Sequence, residues 1–366
     1  IMGVCKSWLY MRLPNEETLR DGDGFSDGRR ANLGATSLLS YAYGNDPVLK
    51  RDFERQDGLP HDPILVLLLN DPNLKAAKDF DSLPLTIDFG PVLGSMVART
   101  GWNMGRSVSD VVVEMKGGGY HFGNHQHSDA GSFQIYHRGL QAADLGQYHF
   151  YGTPYDYNFC KRSISHSMML AVDPDEALRQ GLSNDGGARF VQSCPTTPQQ
   201  PATDPTFANG AVVSADFGPS RQRPFYSYFS VNLTSAYSKK IEDYVRTFCF
   251  LNLDNVRTPA VLIVLDHMIT AKPEYRKYWQ VNSLNPPEKT ASCAKMDLSS
   301  SVRRSHDQSI APRKARRRAG RSGARVCSSR NRSERRLWIS RGVMPTMRDA
   351  ASSMASGTHS RRRQSS

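Results

Sequence analysis

The stretch "NHQHSDAGSFQIYHRG" (124–139) decides how this chain is read. Phe133 and Ile135 alternate with Gln134 and Tyr136 between Gly131 and Gly139, which predicts a β-strand. Residues two apart on a strand face the same side, so His125 and His127 are expected to project together, with Asp129 if the strand extends that far. Two imidazoles on one face can begin a transition-metal site; they can equally be the polar face of an ordinary strand. Further donors would come from neighbouring strands. Asp144 stands 17 residues after His127, and His166 stands 22 residues after that. Spacing alone leaves Asp144 open to being a turn aspartate before Gly146, and His166 to being a satisfied, half-buried histidine.

Outward from this stretch the chain reads as a series of strands separated by turn residues. They are "LPLTIDFGPVLGSMVART" (83–100), "SDVVVEMKG" (109–117), "LQAADLGQYHF" (140–150), "HSMMLAVD" (166–173), "ARFVQSC" (188–194), "GAVVSADFG" (210–218), "RPFYSYFSVNLT" (223–234), "YVRTFCFLNL" (244–253) and "PAVLIVLDHMI" (259–269). Many strands without interleaved helices predict an antiparallel β-sandwich. Before residue 84 the pattern is helical. Residues 29–44 carry an apolar face of Leu33, Leu38, Leu39 and Tyr43, and Asp-Pro opens helices at 46–56 and 62–70. Residues 1–25 read as a loop rich in turn residues. The expected fold class is mainly β: an antiparallel β-sandwich preceded by a few α-helices and followed by a disordered basic tail. The expected units are 1–83, 84–290 and 291–366.

The charge of the chain is unevenly placed. The formal net charge is +12, but residues 291–366 alone carry 19 Lys+Arg against 4 Asp+Glu. The first 290 residues are slightly acidic, with 28 against 31. The basic balance therefore says nothing about a nucleic-acid surface on the patterned part of the chain. The tail has 17 Arg to 2 Lys and 17 Ser, with Trp338 as its single aromatic. Such a composition cannot bury enough apolar surface to offset the entropy of ordering. The Arg:Lys imbalance and abrupt onset favour a frameshifted reading over a nucleic-acid arm, and any nucleic-acid contact is expected to be non-specific and confined to the tail. The six cysteines form no C-x-x-C pair, so neither a disulfide framework nor a cysteine zinc ribbon is expected. The longest apolar run, "PILVLLL" (63–69), is too short to span a bilayer. The chain opens on Ile1 without a signal-peptide pattern and is read as beginning inside a longer protein.

The segment from Asn124 to Glu176 resembles the heparinase II/III family of polysaccharide lyases. The residues that carry the likeness are "NHQHSDAGSF" (124–133), "DLGQY" (144–148) and "RSISHSMML" (162–170). Upstream, "LPLTIDFGPVLGSMVARTGW" (83–102) is similar to the opening of that family's sandwich, and "RLPNEETLRDGDGF" (12–25) to a segment late in its helical toroid. "YRKYWQVNSLNPPEKT" (275–290) is similar to a later sandwich strand, so the likeness covers about residues 10–290. The helices before residue 84 would then be the remnant of an α/α toroid.

The resemblance implies β-elimination on a uronic-acid polysaccharide. It implies His125 as an acid–base group, Tyr155 as a second catalytic residue, Asn124 as a substrate-binding residue, and His127, Asp144 and His166 as ligands of a structural Zn²⁺. Asn124 is otherwise an Asx-turn residue after Gly123, and Tyr155 and Tyr157 are otherwise packing aromatics, the reading preferred for Tyr157. It also implies an acidic polysaccharide partner and a periplasmic or secreted location. The family's principal catalytic tyrosine belongs to the toroid and has no counterpart here, so the chain is expected to be inactive or feebly active as it stands. The slightly acidic first 290 residues lean toward a less sulfated glycan. Two other readings stay open: a cupin-like metal-binding sandwich and a non-catalytic carbohydrate-binding sandwich. A cupin needs a Glu shortly after the second histidine, where this chain has Ala130, Gly131 and Ser132.

Overall fold

The computed structural model describes residues 2–24, 34–55, 63–123, 125–289, 293–297 and 323–327. Four helices come first: α1 (Met2–Met11), α2 (Gly34–Gly44), α3 (Pro47–Arg55) and α4 (Pro63–Leu69). The start of α3 shows the local logic. Asp46 precedes Pro47, and its carboxylate accepts from the backbone N–H groups of Val48 (2.8 Å) and Leu49 (3.3 Å). Leu49 and Phe53, one turn apart, then turn inward. Helix α1 falls where the sequence reads as loop; its apolar residues Leu9 and Tyr10 are buried.

The first sheet has the order β1 (Thr86–Asp88), β2 (Ser95–Arg99), β3 (Val111–Lys116), β4 (Phe133–His137) and β5 (Leu140–Ala142), all antiparallel. The short helix α5 (Gly90–Leu93) sits between β1 and β2. Strand β3 explains why "VVVEM" is apolar at successive positions. Val111, Val113 and Met115 enter the core between the two sheets, whereas Val112 enters a second core against the helices. That second core holds Leu9, Leu13, Tyr41, Phe53, Trp102 and Tyr136 among others. The first sheet is thus covered on both faces.

The second sheet follows β6 (Met169–Val172) and the short α6 (Gln200–Thr203). It consists of β7 (Ala211–Gly218), β8 (Tyr226–Asn232), β9 (Ile241–Asn252) and β10 (Ala260–Thr270), in the order β10-β9-β8-β7. Its inner face sends Phe229, Val231, Tyr244, Phe248 and Phe250 into the inter-sheet core. Its outer face leaves Val261, Ile263, Leu265 and Ile269 of β10 exposed. Arg246 ties the layers together. Its guanidinium grips Asp266 at 2.6 and 2.9 Å and donates to the Gly131 carbonyl at 2.5 Å, in the loop before β4. Strand β11 (Arg276–Trp279) pairs with β6.

The mainly β, antiparallel fold with a few leading helices is as expected, with local corrections. "ARFVQSC" (188–194) is not a strand. Its backbone is drawn elsewhere: the Arg189 amide donates to Ala236 O, and the Arg189 guanidinium to the carbonyls of Ser235 and Ala208. Residues 143–150 also lack strand pairing, so β5 ends just before Asp144. Most of 291–366, expected to be a disordered tail, lies outside the described residues. Within it β13 (Cys293–Asp297) pairs with β12 (Glu288–Lys289) and with β14 (Gly323–Cys327). Among the described residues no helix is long and apolar enough to cross a membrane.

Candidate metal centre

The H-x-H pair is not on a strand. Residues 125–132 form a turn-rich approach to β4, closed by Ser132 N–H donating to Asp129 O (2.9 Å), with Gly131 at φ +90°. The two rings therefore do not converge through strand alternation. Asp129 does not join them either; it is held by Lys116. What places the donors together is the β4–β5 hairpin. His127 precedes β4 and Asp144 follows β5, so an antiparallel pair brings them to one end of the sheet. His166 follows the 3₁₀ turn Ser163–Ser165. Backbone bonds lash this segment to both others: Ser128 N–H to Lys161 O (2.9 Å) and Leu145 N–H to Ser165 O (3.0 Å).

His127 Nδ1, His166 Nε2 and Asp144 Oδ2 form a near-equilateral triangle with sides of 3.2, 3.2 and 3.6 Å. Ligands about 2.0–2.1 Å from a tetrahedral ion stand roughly 3.3 Å apart, so the triangle has the edge length of a zinc site. All three side chains are buried. Every other polar atom of the three is committed. His127 Nε2 lies 3.1 Å from Asp23 Oδ1, His166 Nδ1 lies 2.9 Å from the Arg162 carbonyl, and Asp144 Oδ1 accepts from Gly146 N–H at 2.6 Å. Within the triangle, Asp144 Oδ2 is buried and makes no hydrogen bond of good geometry among the described residues. Outer contacts of this kind fix the tautomer and orientation of metal ligands.

The electrostatics agree. Burial opposes charge on His127, yet Asp144, Asp23 and Cys160 push its pKa up to about 11. Burial likewise opposes ionisation of Asp144, and His166 and His127 override it, holding its carboxyl far below the usual carboxylate range. Without an ion the triangle takes up a proton; a divalent cation satisfies the same demand for positive charge. His127, Asp144 and His166 therefore fit a metal of the zinc class. A second grouping, Asp23, His127 and Cys160, also lies within ligand reach. Asp23 is already engaged by three cations or rings, and Cys160 Sγ donates to the Gly146 carbonyl at 3.0 Å, so the first set is the better one.

Asp23 was not legible as a site residue. It sits in the short turn Gly22–Gly24, and its carboxylate meets His125 Nδ1 (2.9 Å), His127 Nε2 (3.1 Å) and Lys161 Nζ (3.1 Å). Gly22 makes this approach possible. It adopts φ +54°, and a Cβ there would lie 2.5 Å from the His125 carbonyl oxygen. Neighbouring residues anchor the same segment: Arg20 Nη1 donates to the Asp144 carbonyl (2.8 Å), and Asp21 pairs with Lys116 (2.6 Å). The one available signal was "RDGDG" itself, acidic residues interleaved with glycine.

The remaining expected residues are distributed as follows. The His125 side chain is 78% exposed, in contrast to 0% for His127. Asn124 lies outside the described residues. Tyr155 packs between His149 and Phe159 at ring distances of 5.5 Å, and burial, with Cys160 and Asp144 adding to it, pushes its hydroxyl up to about 12. Tyr157 packs against Tyr151 and Phe190, as preferred for it.

No protein-family model matches the chain, and no curated protein matches it. Solved structures do. A heparan sulfate lyase, a HepC mutant from Pedobacter heparinus, aligns with a TM-score of 0.50 at 15% identity, over 80% of this chain and 36% of that one. Heparinase III, the BT4657 gene product, aligns with a TM-score of 0.45 at 11% identity, over 80% and 38%. The chain thus spans little more than a third of the length of these structures. Over that span its fold is similar to that of a heparan sulfate lyase.

Proposed function

We propose that the chain is the sandwich portion of a polysaccharide lyase that cleaves uronic-acid glycans by β-elimination. One observation carries the reading. An exposed histidine, His125, has one ring nitrogen pinned by Asp23 beside a buried His127–Asp144–His166 triangle, in a fold similar to that of a heparan sulfate lyase.

β-Elimination breaks the C5–H bond α to the uronate carboxylate and the C4–O glycosidic bond, and forms a C4=C5 double bond. A base must accept the C5 proton, and an acid must deliver a proton to the leaving oxygen. His125 offers Nε2 to the open side for the first task. Tyr155, its hydroxyl pushed up to about 12, keeps its proton at neutral pH and suits the second. Asn124 is assigned to the substrate carboxylate. His127, Asp144 and His166 would hold Zn²⁺, whose contribution when bound is to fix the loop before β4 against the turn that ends at His166. The substrate class supported by the named lyase neighbour is a heparan-type or related acidic glycan.

The test is incubation of the chain, Zn²⁺-loaded, with heparin, heparan sulfate, chondroitin and alginate, following the ultraviolet absorbance of the unsaturated product. A slow rise with at least one of them, abolished in His125→Ala, is expected. No rise with any of the four overturns the reading.

A further inference from the structure

The two histidines of the H-x-H pair share one carboxylate. Asp23 Oδ1 faces His127 Nε2 and Asp23 Oδ2 faces His125 Nδ1, with Lys161 Nζ on the same Oδ2. The Asp23 side chain is only 6% exposed, and its turn is tied to the pair through the backbone, Asp23 N–H donating to His125 O at 3.1 Å. We infer that Asp23, anchored by His127 and Lys161, is a positioning residue that fixes which ring nitrogen of His125 carries the hydrogen. The inference rests on the lyase reading only in calling His125 the acid–base group.

The chemistry follows from donor and acceptor counts. An ionised carboxylate only accepts hydrogen bonds, so each ring nitrogen facing Asp23 must carry the hydrogen. His127 can ligate through Nδ1 only as the tautomer protonated on Nε2, and that hydrogen points at Asp23 Oδ1. The same carboxylate, kept ionised and held in place from Oδ1 and by Lys161, requires Nδ1–H on His125. The lone pair of His125 Nε2 is then bare and faces the exposed side. A neutral free imidazole has no such requirement, so the preference is imposed by Asp23. Lys161 is itself buried and also lies 3.7 Å from Asp156.

The arrangement makes two residues of one short motif interdependent. His127 Nε2–H and Lys161 hold the Asp23 carboxylate, and Asp23 selects the His125 tautomer. Removing the carboxylate should loosen both ends: Zn²⁺ affinity should fall about 10–100-fold, the usual loss when a ligand's outer partner is removed.

The experiment uses the full chain with uniformly ¹⁵N-labelled histidine, at mildly alkaline pH where free imidazole is neutral. Two-dimensional ¹H–¹⁵N spectra distinguish Nδ1–H from Nε2–H by the nitrogen shifts. With Zn²⁺ bound, His125 is expected as the Nδ1–H tautomer, and Asp23→Asn is expected to shift it to Nε2–H or to a mixture. The wild-type spectrum alone reads the His125 tautomer, which keeps the test usable if Asp23→Asn fails to fold. An Nε2–H His125 in the wild type, or a folded Asp23→Asn chain that keeps the wild-type tautomer, overturns the inference. These readouts need no turnover. A chain that shows the Nδ1–H tautomer but cleaves no glycan removes the lyase reading and leaves the Asp23 assignment standing; cleavage with an Nε2–H His125 does the reverse.

Discussion

The two sheets meet face to face but live under different conditions. The first is covered twice, by the second sheet and by the helices, so alternate residues of β3 serve two cores. The second is covered once; Leu265 on its outer face is 62% exposed while Phe248 on its inner face is sealed. The candidate site sits at one end of the doubly covered sheet, where loops on both sides of β4 and β5 can be held. The lesson is that this molecule's tolerance to change should follow coverage rather than apolarity.

Breaking the tie between the layers is the severest test. Asp266→Ala strands the Arg246 guanidinium in the inter-sheet core; losing one partner of a buried pair costs about 3–5 kcal/mol. Phe248→Ala should cost a similar amount, about 3–5 kcal/mol, through the cavity it leaves. Both are read from urea-unfolding midpoints, and a loss under about 1 kcal/mol in either would refute the inner-face assignment.

Next comes the metal. Chelation of the wild-type chain should lower its melting temperature, because an ion that binds only the folded state stabilises it by mass action. His166→Ala should melt at the lower temperature with or without chelator. An identical melting temperature before and after chelation of the wild type would argue against His127, Asp144 and His166 as ligands.

A smaller effect is expected at His121, which lies between the sheets' connecting loops. It is buried against Phe207, its Nε2 lacks a hydrogen-bond partner among the described residues, and burial brings its pKa down to about 4. Below about pH 6.5 the unfolded chain takes up a proton that the folded chain refuses. The stability this neutral histidine contributes is whole above that pH and lost as pH falls toward 4. His121→Phe should flatten that part of the stability–pH curve. The smallest effect belongs to the open face: Ile263→Ala should change stability by no more than about 0.5–1 kcal/mol, although isoleucine and phenylalanine read alike in sequence.

Short apolar or alternating runs bounded by turn residues made β3, β4, β7, β8, β9 and β10 legible, because that pattern is local. Asp144 and His166 were legible as candidates because they flank strands that adjoin the H-x-H segment. Asp23 was not, since its role depends on a contact spanning about a hundred residues that no local pattern encodes. The H-x-H segment misled for a related reason. Its histidines recur at every second position as on a strand, but Asp129 spends its side chain on Lys116 and its carbonyl on a turn. "ARFVQSC" has strand composition, yet Arg189 finds its partners among loop carbonyls.

Gly22 carries a consequence larger than its size. It has no side chain to offer a donor, an acceptor or a charge, yet every other residue type would drive a carbon into the backbone oxygen of His125 and lever the neighbouring carboxylate off both imidazoles. A survey that scored only polar side chains would pass over it. The fidelity of the whole constellation is set by the absence of one atom at position 22.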